Sequence, residues 1–244
     1  MIFYFLRDER VRSFTAIAIG ISLTAFLWCI EKTKQIPQYA LMFYEMGVSC
    51  QNSCGQDEQL KYFQRAVRYA SRFMDAPYNA RLSDAYYQCA LIYEKKGDYA
   101  NTARSFIKAI DTNPTNLMAY YRLGIYYYKG GYYELALRYL LRAFHLPGYP
   151  DDIYYYLARI YDQRQDYKLA VQHYDNIISL HPEYVDEVYP RLAEIYYFLN
   201  DEDFITHRLL RLRELKRNDL ANRLEKEYNA LQASGISREA VGRQ

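Results

Sequence analysis

Residues 118–147 read "MAYYRLGIYYYKGGYYELALRYLLRAFHLP", eight tyrosines in thirty positions of a chain that holds 30 in 244. The phenols recur at a fixed step. Tyr86, Tyr120 and Tyr154 stand thirty-four residues apart, as do Tyr87, Tyr121 and Tyr155, then Tyr93, Tyr127 and Tyr161, and Tyr99, Tyr133 and Tyr167. Small residues keep the same register at Cys89-Ala90, Leu123-Gly124 and Leu157-Ala158, turn residues at Gly97-Asp98, Gly131 and Gln165-Asp166. Phe106, Leu140 and Tyr174, with Ala109, Ala143 and Ile177, follow on a second helix, and Pro114, Pro147 and Pro182 close each unit where a helix cannot continue.

This pattern of aromatic, Leu-Gly, Tyr, Ala, aromatic, Ala and Pro resembles the tetratricopeptide repeat, a helix-turn-helix of thirty-four residues. Residues 83–116, 117–150 and 151–184 carry it; tyrosine replaces the usual tryptophan, Thr102 takes one small position and Pro147 comes one residue early. Residues 40–73 look like a degenerate first repeat, with Phe43, Met46-Gly47, Cys50, Phe63 and Ala66 in register but without the family's turn and closing proline. Its second helix is expected to run long, to a break at Pro77. A displaced unit, 185–216, starts near Val185 with Tyr189, Leu192-Ala193 and Tyr196. Residues 217–233 are read as a helix capping the open apolar edge, and 234–244 as a mobile tail. The expected fold is all-α: a solenoid of about five such repeats over 40–233.

Residues 13–30, "SFTAIAIGISLTAFLWCI", hold no charge, with Arg12 and Glu31 on either side. Eighteen helical residues rise about 27 Å, close to the thickness of a bilayer's hydrocarbon. Trp28 stands near one end, where an indole prefers the interface. "FLWCIEKTK" offers no small-x-small cleavage pattern, so the reading is an uncleaved transmembrane helix between a short flank, 1–12, and a linker, 31–39; a buried core helix is the alternative. Arg7, Arg10 and Arg12 against Lys32 and Lys34 mildly favour a cytoplasmic N-terminus, which puts the repeats in the periplasm of a bacterium.

Lysine and arginine total 31, aspartate and glutamate 29, a net charge of +2 that offers no general field for a polyanion, so no nucleic acid is expected. "HRLLRLRELKRNDLANRLEK", 207–226, has seven basic and three acidic residues and reads as a solvated helix face. The four cysteines, 29, 50, 54 and 89, lack metal or haem spacing and read as small part-buried side chains; Cys50 and Cys54 pair only if "CQNSC" and Gly55 make a turn. No motif for metal, cofactor or catalysis is present: His145 and His181 fit helix ends, and His173 and His207 are isolated in sequence. The chain is read as no enzyme, with no cofactor.

By resemblance, first helices line a groove, and the first and fourth tyrosine series pack between helices. The groove positions would be Tyr87, Tyr121 and Tyr155, then Leu91, Ile125 and Arg159, then Glu94, Tyr128 and Asp162. Phenols there suit a peptide or helix from a protein partner. The alternative is that tyrosine is this chain's ordinary half-buried residue. Tyr87, Leu91, Tyr121 and Ile125 replace the lysine, asparagine and arginine by which chaperone-tail receptors of the family hold a carboxylate, so no such clamp is expected. The functional expectation is a membrane-anchored protein-protein interaction scaffold of a bacterial cell-envelope complex, flagellar, secretion or pilus type. Its rival is a cytosol-facing, membrane-tethered receptor or cochaperone for transient clients.

Overall fold

The computed structural model describes residues 38–50, 53–70, 76–199, 202–214 and 216–234. The expected anchor 13–30, its flank, most of the linker and nearly all of the tail lie outside the described residues. Among the described residues no helix is long and apolar enough to cross a membrane. The chain forms two compact units, Met1–Ala119 and Tyr120–Gln244.

In the first unit, α1 spans 38–49, α2 Gln56–Ala70, α3 Ala76–Lys95 and α4 Tyr99–Thr112. Phe63 of α2 fits against Gly47 of α1 so closely that a Cβ there would come 2.7 Å from its ring. Leu60, Phe63 and Ala66 then meet Ala85, Cys89 and Ile92 of α3. Burial drives the Cys89 thiol up to about 12, which makes it an inert apolar filler. Buried Ser83 donates to the carbonyl of Ala109 (2.7 Å) and accepts from the Asn116 amide (2.8 Å), so it ties α3 to the end of α4.

One expectation changes here. The degenerate repeat does have a turn: the amides of Ser53 and Cys54 both donate to the Cys50 carbonyl, and Cys50 and Cys54 are joined as a disulfide, not left as separate thiols. The bridge forms because α1 stops before Cys50, which leaves the two Cα atoms 5.2 Å apart, inside the range a disulfide spans. The expected run of the second helix to Pro77 crosses residues 71–75, which lie outside the described residues. α2 is described over Gln56–Ala70 and α3 over Ala76–Lys95, with Pro77 as its second described residue.

The second unit holds α5 Leu117–Lys129, which begins just before it, then α6 Tyr133–Phe144, α7 Ile153–Gln163, α8 Tyr167–Leu180, a 3-10 turn Pro182–Tyr184, α9 Val185–Leu199, α10 Glu202–Glu214 and α11 Asn218–Ala233. Gly124 repeats the device of Gly47: a Cβ on it would lie 2.6 Å from Leu140 Cγ. Ala158 occupies the same repeat position in α7, and Tyr174 of α8 the position of Leu140. Tyr174, Ile177 and Ile178 join Val188, Tyr189, Leu192 and Tyr196 of α9 in the core. Leu220, Ala221, Leu224 and Tyr228 of α11 close it, with Asn222 and Lys226 turned to solvent.

The turn between paired helices has one geometry. Gly97, Gly131 and Gln165, thirty-four residues apart, take φ of 70°, 78° and 64°. Glycine enters that region without steric cost, and glutamine at the third copy carries about 1 kcal/mol of strain. The fourth tyrosine series does not pack uniformly as expected: Tyr167 is buried beside Phe198 at 5.0 Å, while Tyr99 is 74% exposed. The position of Phe198 in the repeat holds Gln163 and Lys129 in earlier units, so the aromatic cover does not recur.

Candidate interaction face

The second tyrosine series forms struts. In α1, the Tyr44 hydroxyl donates to Asp84 Oδ2 at 2.7 Å; Tyr121 in α5 donates to Asp152, and Tyr155 in α7 to Glu187. Tyr44 stands at the repeat position of Tyr87; Asp84 lies within α3, while Asp152 and Glu187 stand at the start of α7 and α9. Each strut therefore joins one first helix to the next. A phenol donating to a carboxylate is a charge-assisted hydrogen bond, stronger than a neutral one. Burial above all, with the facing carboxylate adding to it, holds the Tyr121 and Tyr155 phenols far above their ordinary pKa, so both remain donors at any physiological pH. At the corresponding position of residues 117–150 stands Met118, which cannot accept.

The nine groove positions are not equivalent. Tyr121, Ile125 and Asp162 are buried, at 5%, 5% and 6% exposure; Tyr128, Tyr155 and Arg159 are half-buried in the same unit. Tyr87, Leu91 and Glu94 are half-buried in the first unit, with the Tyr87 ring 5.9 Å from Phe106. The structure thus brings Tyr128, Tyr155 and Arg159 together on α5 and α7 and sets Tyr121 and Asp162 beneath them as supports. Arg159 Nε lies 3.5 Å from the Tyr128 hydroxyl, at the limit of a hydrogen bond.

Tyrosine spacing alone missed Tyr156. Its ring packs edge-on against Tyr121 (6.4 Å), Tyr128 (5.4 Å) and Tyr155 (5.5 Å), and Tyr184 adds a further ring 5.3 Å from Tyr155. Edge-to-face packing of this kind fixes ring planes and leaves hydroxyl tips at the surface. Also missed was a carboxylate network. Arg191 of α9 makes a two-pronged contact with Asp162, Nε to Oδ2 and Nη2 to Oδ1, both 2.9 Å, and its Nη1 donates to Glu194 at 2.6 Å. The Tyr174 hydroxyl adds a 3.3 Å bond to Asp162. The signal that could have found the struts is the acid at one repeat position, Asp84, Asp152 and Glu187, which recurs in every unit that follows a strut tyrosine and is broken only by Met118.

Tyr121→Phe is expected to destabilise the protein by about 1.5–3 kcal/mol, the range for a hydrogen bond to a charged partner. Asp152→Ala should cost a similar amount, because it leaves the same buried hydroxyl unpaired. The double variant should cost no more than either single change, which chemical unfolding of all three proteins would check.

None of these groups makes a catalytic constellation. His173 stacks on Tyr161 at 5.4 Å, and burial lowers its pKa. It packs as an aromatic ring. Among the described residues the one grouping with metal-ligand geometry is Cys50, Cys54 and Glu58, and there the two sulfurs are bonded to each other.

Residues 83–116 and 152–184 match models of the tetratricopeptide repeat. No curated protein matches the chain. Among solved structures it is similar to YrrB, described as "a TPR protein with an unusual peptide-binding site", at TM-score 0.58 and 19% identity over 87% of this chain and 98% of that one. MamA from Desulfovibrio magneticus RS-1, residue 41 to its end, gives 0.54 and 20% over 82% and 98%. A further MamA crystal structure gives 0.52 and 16% over 82% and 97%. At such identities the likeness is one of fold: an all-α, solenoid-like arrangement of tetratricopeptide repeats.

Proposed function

We propose that this repeat protein is a non-catalytic protein-protein interaction scaffold, held at a membrane by residues 13–30. Its repeats face the periplasm and serve a multi-protein complex of the bacterial cell envelope, of flagellar, secretion or pilus type. The observation that carries the binding role is the half-buried face of Tyr128, Tyr155, Tyr156 and Arg159 on α5 and α7, pinned from below by the Tyr121–Asp152 strut and the Asp162–Arg191 pair. Aromatic side chains already fixed in place lose little entropy on binding and offer both apolar surface and hydroxyl tips. A peptide or helix from a partner fits that chemistry, and YrrB's peptide-binding site supports the analogy. The Cys50–Cys54 disulfide supports the oxidising side of the membrane, since disulfides persist there and are rare in cytosol.

Photo-crosslinking tests the reading. With p-benzoylphenylalanine in place of Tyr128 or Tyr156 in the full chain in its native membrane, one dominant adduct from a large assembly is the expected result. Many weak adducts would transfer the protein to the client-receptor class, and none at either position would remove the binding role from this face. A cysteine replacing Leu180, which is 50% exposed, reports topology: a membrane-impermeant thiol reagent reaches it from the periplasm only if the repeats lie there.

A further inference from the structure

We propose that the first helix pair lies on the bilayer, docked on an anionic phospholipid surface through Tyr39, Met42 and Met46 of α1 and Arg65 and Tyr69 of α2. The proposal rests on the reading that residues 13–30 are embedded, and goes beyond it in assigning a lipid-facing surface to the repeat domain itself.

Tyr39, Met42 and Met46 follow one another at helical spacing and are 41%, 44% and 38% exposed. They continue across Phe43 to Tyr69, itself 39% exposed, whose ring stacks on Phe43 at 5.5 Å with 11° between the planes. Tyr39 lies 6.2 Å from Tyr69, and the Arg65 guanidinium sits 5.5 Å over the Phe43 ring. A continuous apolar stripe rimmed by Arg65, with Glu45 exposed at its edge about 60° around from Met42, is out of place against water. At the other end of the chain the last core is closed by α11, which turns Asn222 and Lys226 outward, so the two ends are finished differently.

What faces the stripe follows from the chain before it. The apolar run ends at residue 30 and α1 begins at 38, so seven intervening residues reach at most about 25 Å even fully extended. If residues 13–30 are in the bilayer, the start of α1 cannot leave its vicinity. The stripe begins at the second residue of α1 and rises only about 10 Å from Tyr39 to Met46. Tyrosine suits the headgroup level, methionine adapts to irregular apolar surroundings, and Arg65 matches anionic headgroups. A second copy of the chain has the same stripe and the same arginine, so two such faces would oppose like charges.

The test uses the full chain reconstituted in phosphatidylglycerol-containing vesicles with brominated acyl chains, which quench tryptophan. Trp28 is the single tryptophan, so the unaltered protein reads the anchor and variants in a Trp28→Phe background read the surface. Met42→Trp should be quenched about twofold or more at shallow depth, as for a side chain seated in the interface. Val48→Trp is the control: it is on the same helix, 40% exposed, and roughly 160° around from Met46. It should stay unquenched. If Trp28 is quenched but Met42→Trp behaves like Val48→Trp, the anchor stands and the docking surface is refuted. If Trp28 is unquenched, the anchor reading fails and takes the proposal with it. Blue-shifted Met42→Trp emission without quenching would show the stripe covered by protein, a second copy or another partner, and would equally overturn the lipid assignment.

Discussion

Asp162→Ala is expected to cost the protein about 3–5 kcal/mol, the range found when one partner of a buried ion pair is removed. The carboxylate side chain is 5% exposed and takes both prongs of Arg191, whose own side chain is 18% exposed. Without it the guanidinium keeps only Glu194, and the Tyr174 hydroxyl loses its acceptor in the core. Glu194 offsets part of the loss, which favours the lower end of the range. A shift in melting temperature of roughly 10 °C should follow for a unit of this size, seen by circular dichroism. The charge pair itself is a different matter from its halves. Asp162→Leu combined with Arg191→Met should recover most of the loss, because a well-packed apolar pair escapes the desolvation that the ions suffer. A single Asp162→Ala variant that melts like the wild type would show that the network holds nothing together.

That network also explains what tyrosine and acid spacing convey and what they do not. The thirty-four-residue step sets Gly47 on Phe63 and Gly124 on Leu140, so a periodic sequence reports it directly. It also places Gly97, Gly131 and Gln165 at the same left-handed turn. The role of an individual position is harder to read, because it depends on what the next repeat brings opposite. Tyr121 and Tyr155 share a position, yet one is buried and the other half-exposed, and Asp162 stands where Tyr128 and Glu94 stand but turns inward because Arg191 meets it. Their partners lie 31, 32 and 29 residues away, in another unit. A series of one residue type shows a shared position and cannot show these encounters. The Cys50–Cys54 bridge was hidden for a different reason: four-residue spacing argues against a bond until it is known that the helix ends at the first cysteine.

Asp175 should contribute a fall in stability as pH rises through the range from about 4 to 7. Burial pushes this carboxyl up from 3.8 to about 7, with Arg208 of α10 pulling the other way. Arg208 Nη2 lies 2.7 Å from Asp175 Oδ1, but the oxygen gains no properly directed hydrogen bond, which is why the guanidinium does not win. Tyr189 and Tyr196 of α9 share the surroundings, with Arg217 and Asp219 more distant, and none of them supplies a compensating cation beyond the two arginines. Between the unfolded pKa near 3.8 and the folded value near 7 the native state binds the extra proton, so stability drops with increasing pH, and the penalty is complete above 7. About three pH units at ~1.4 kcal/mol each set an upper bound near 4 kcal/mol. Asp175→Asn removes the titration, so its melting temperature should match the wild type near pH 4, exceed it increasingly towards pH 7 and level off above that. His173, whose pKa burial lowers, contributes with the opposite sign in both proteins, and the difference between the two curves cancels it. A constant difference across that range would mean that Arg208 keeps the carboxylate ionised throughout, and that the α8–α10 contact is an ordinary ion pair.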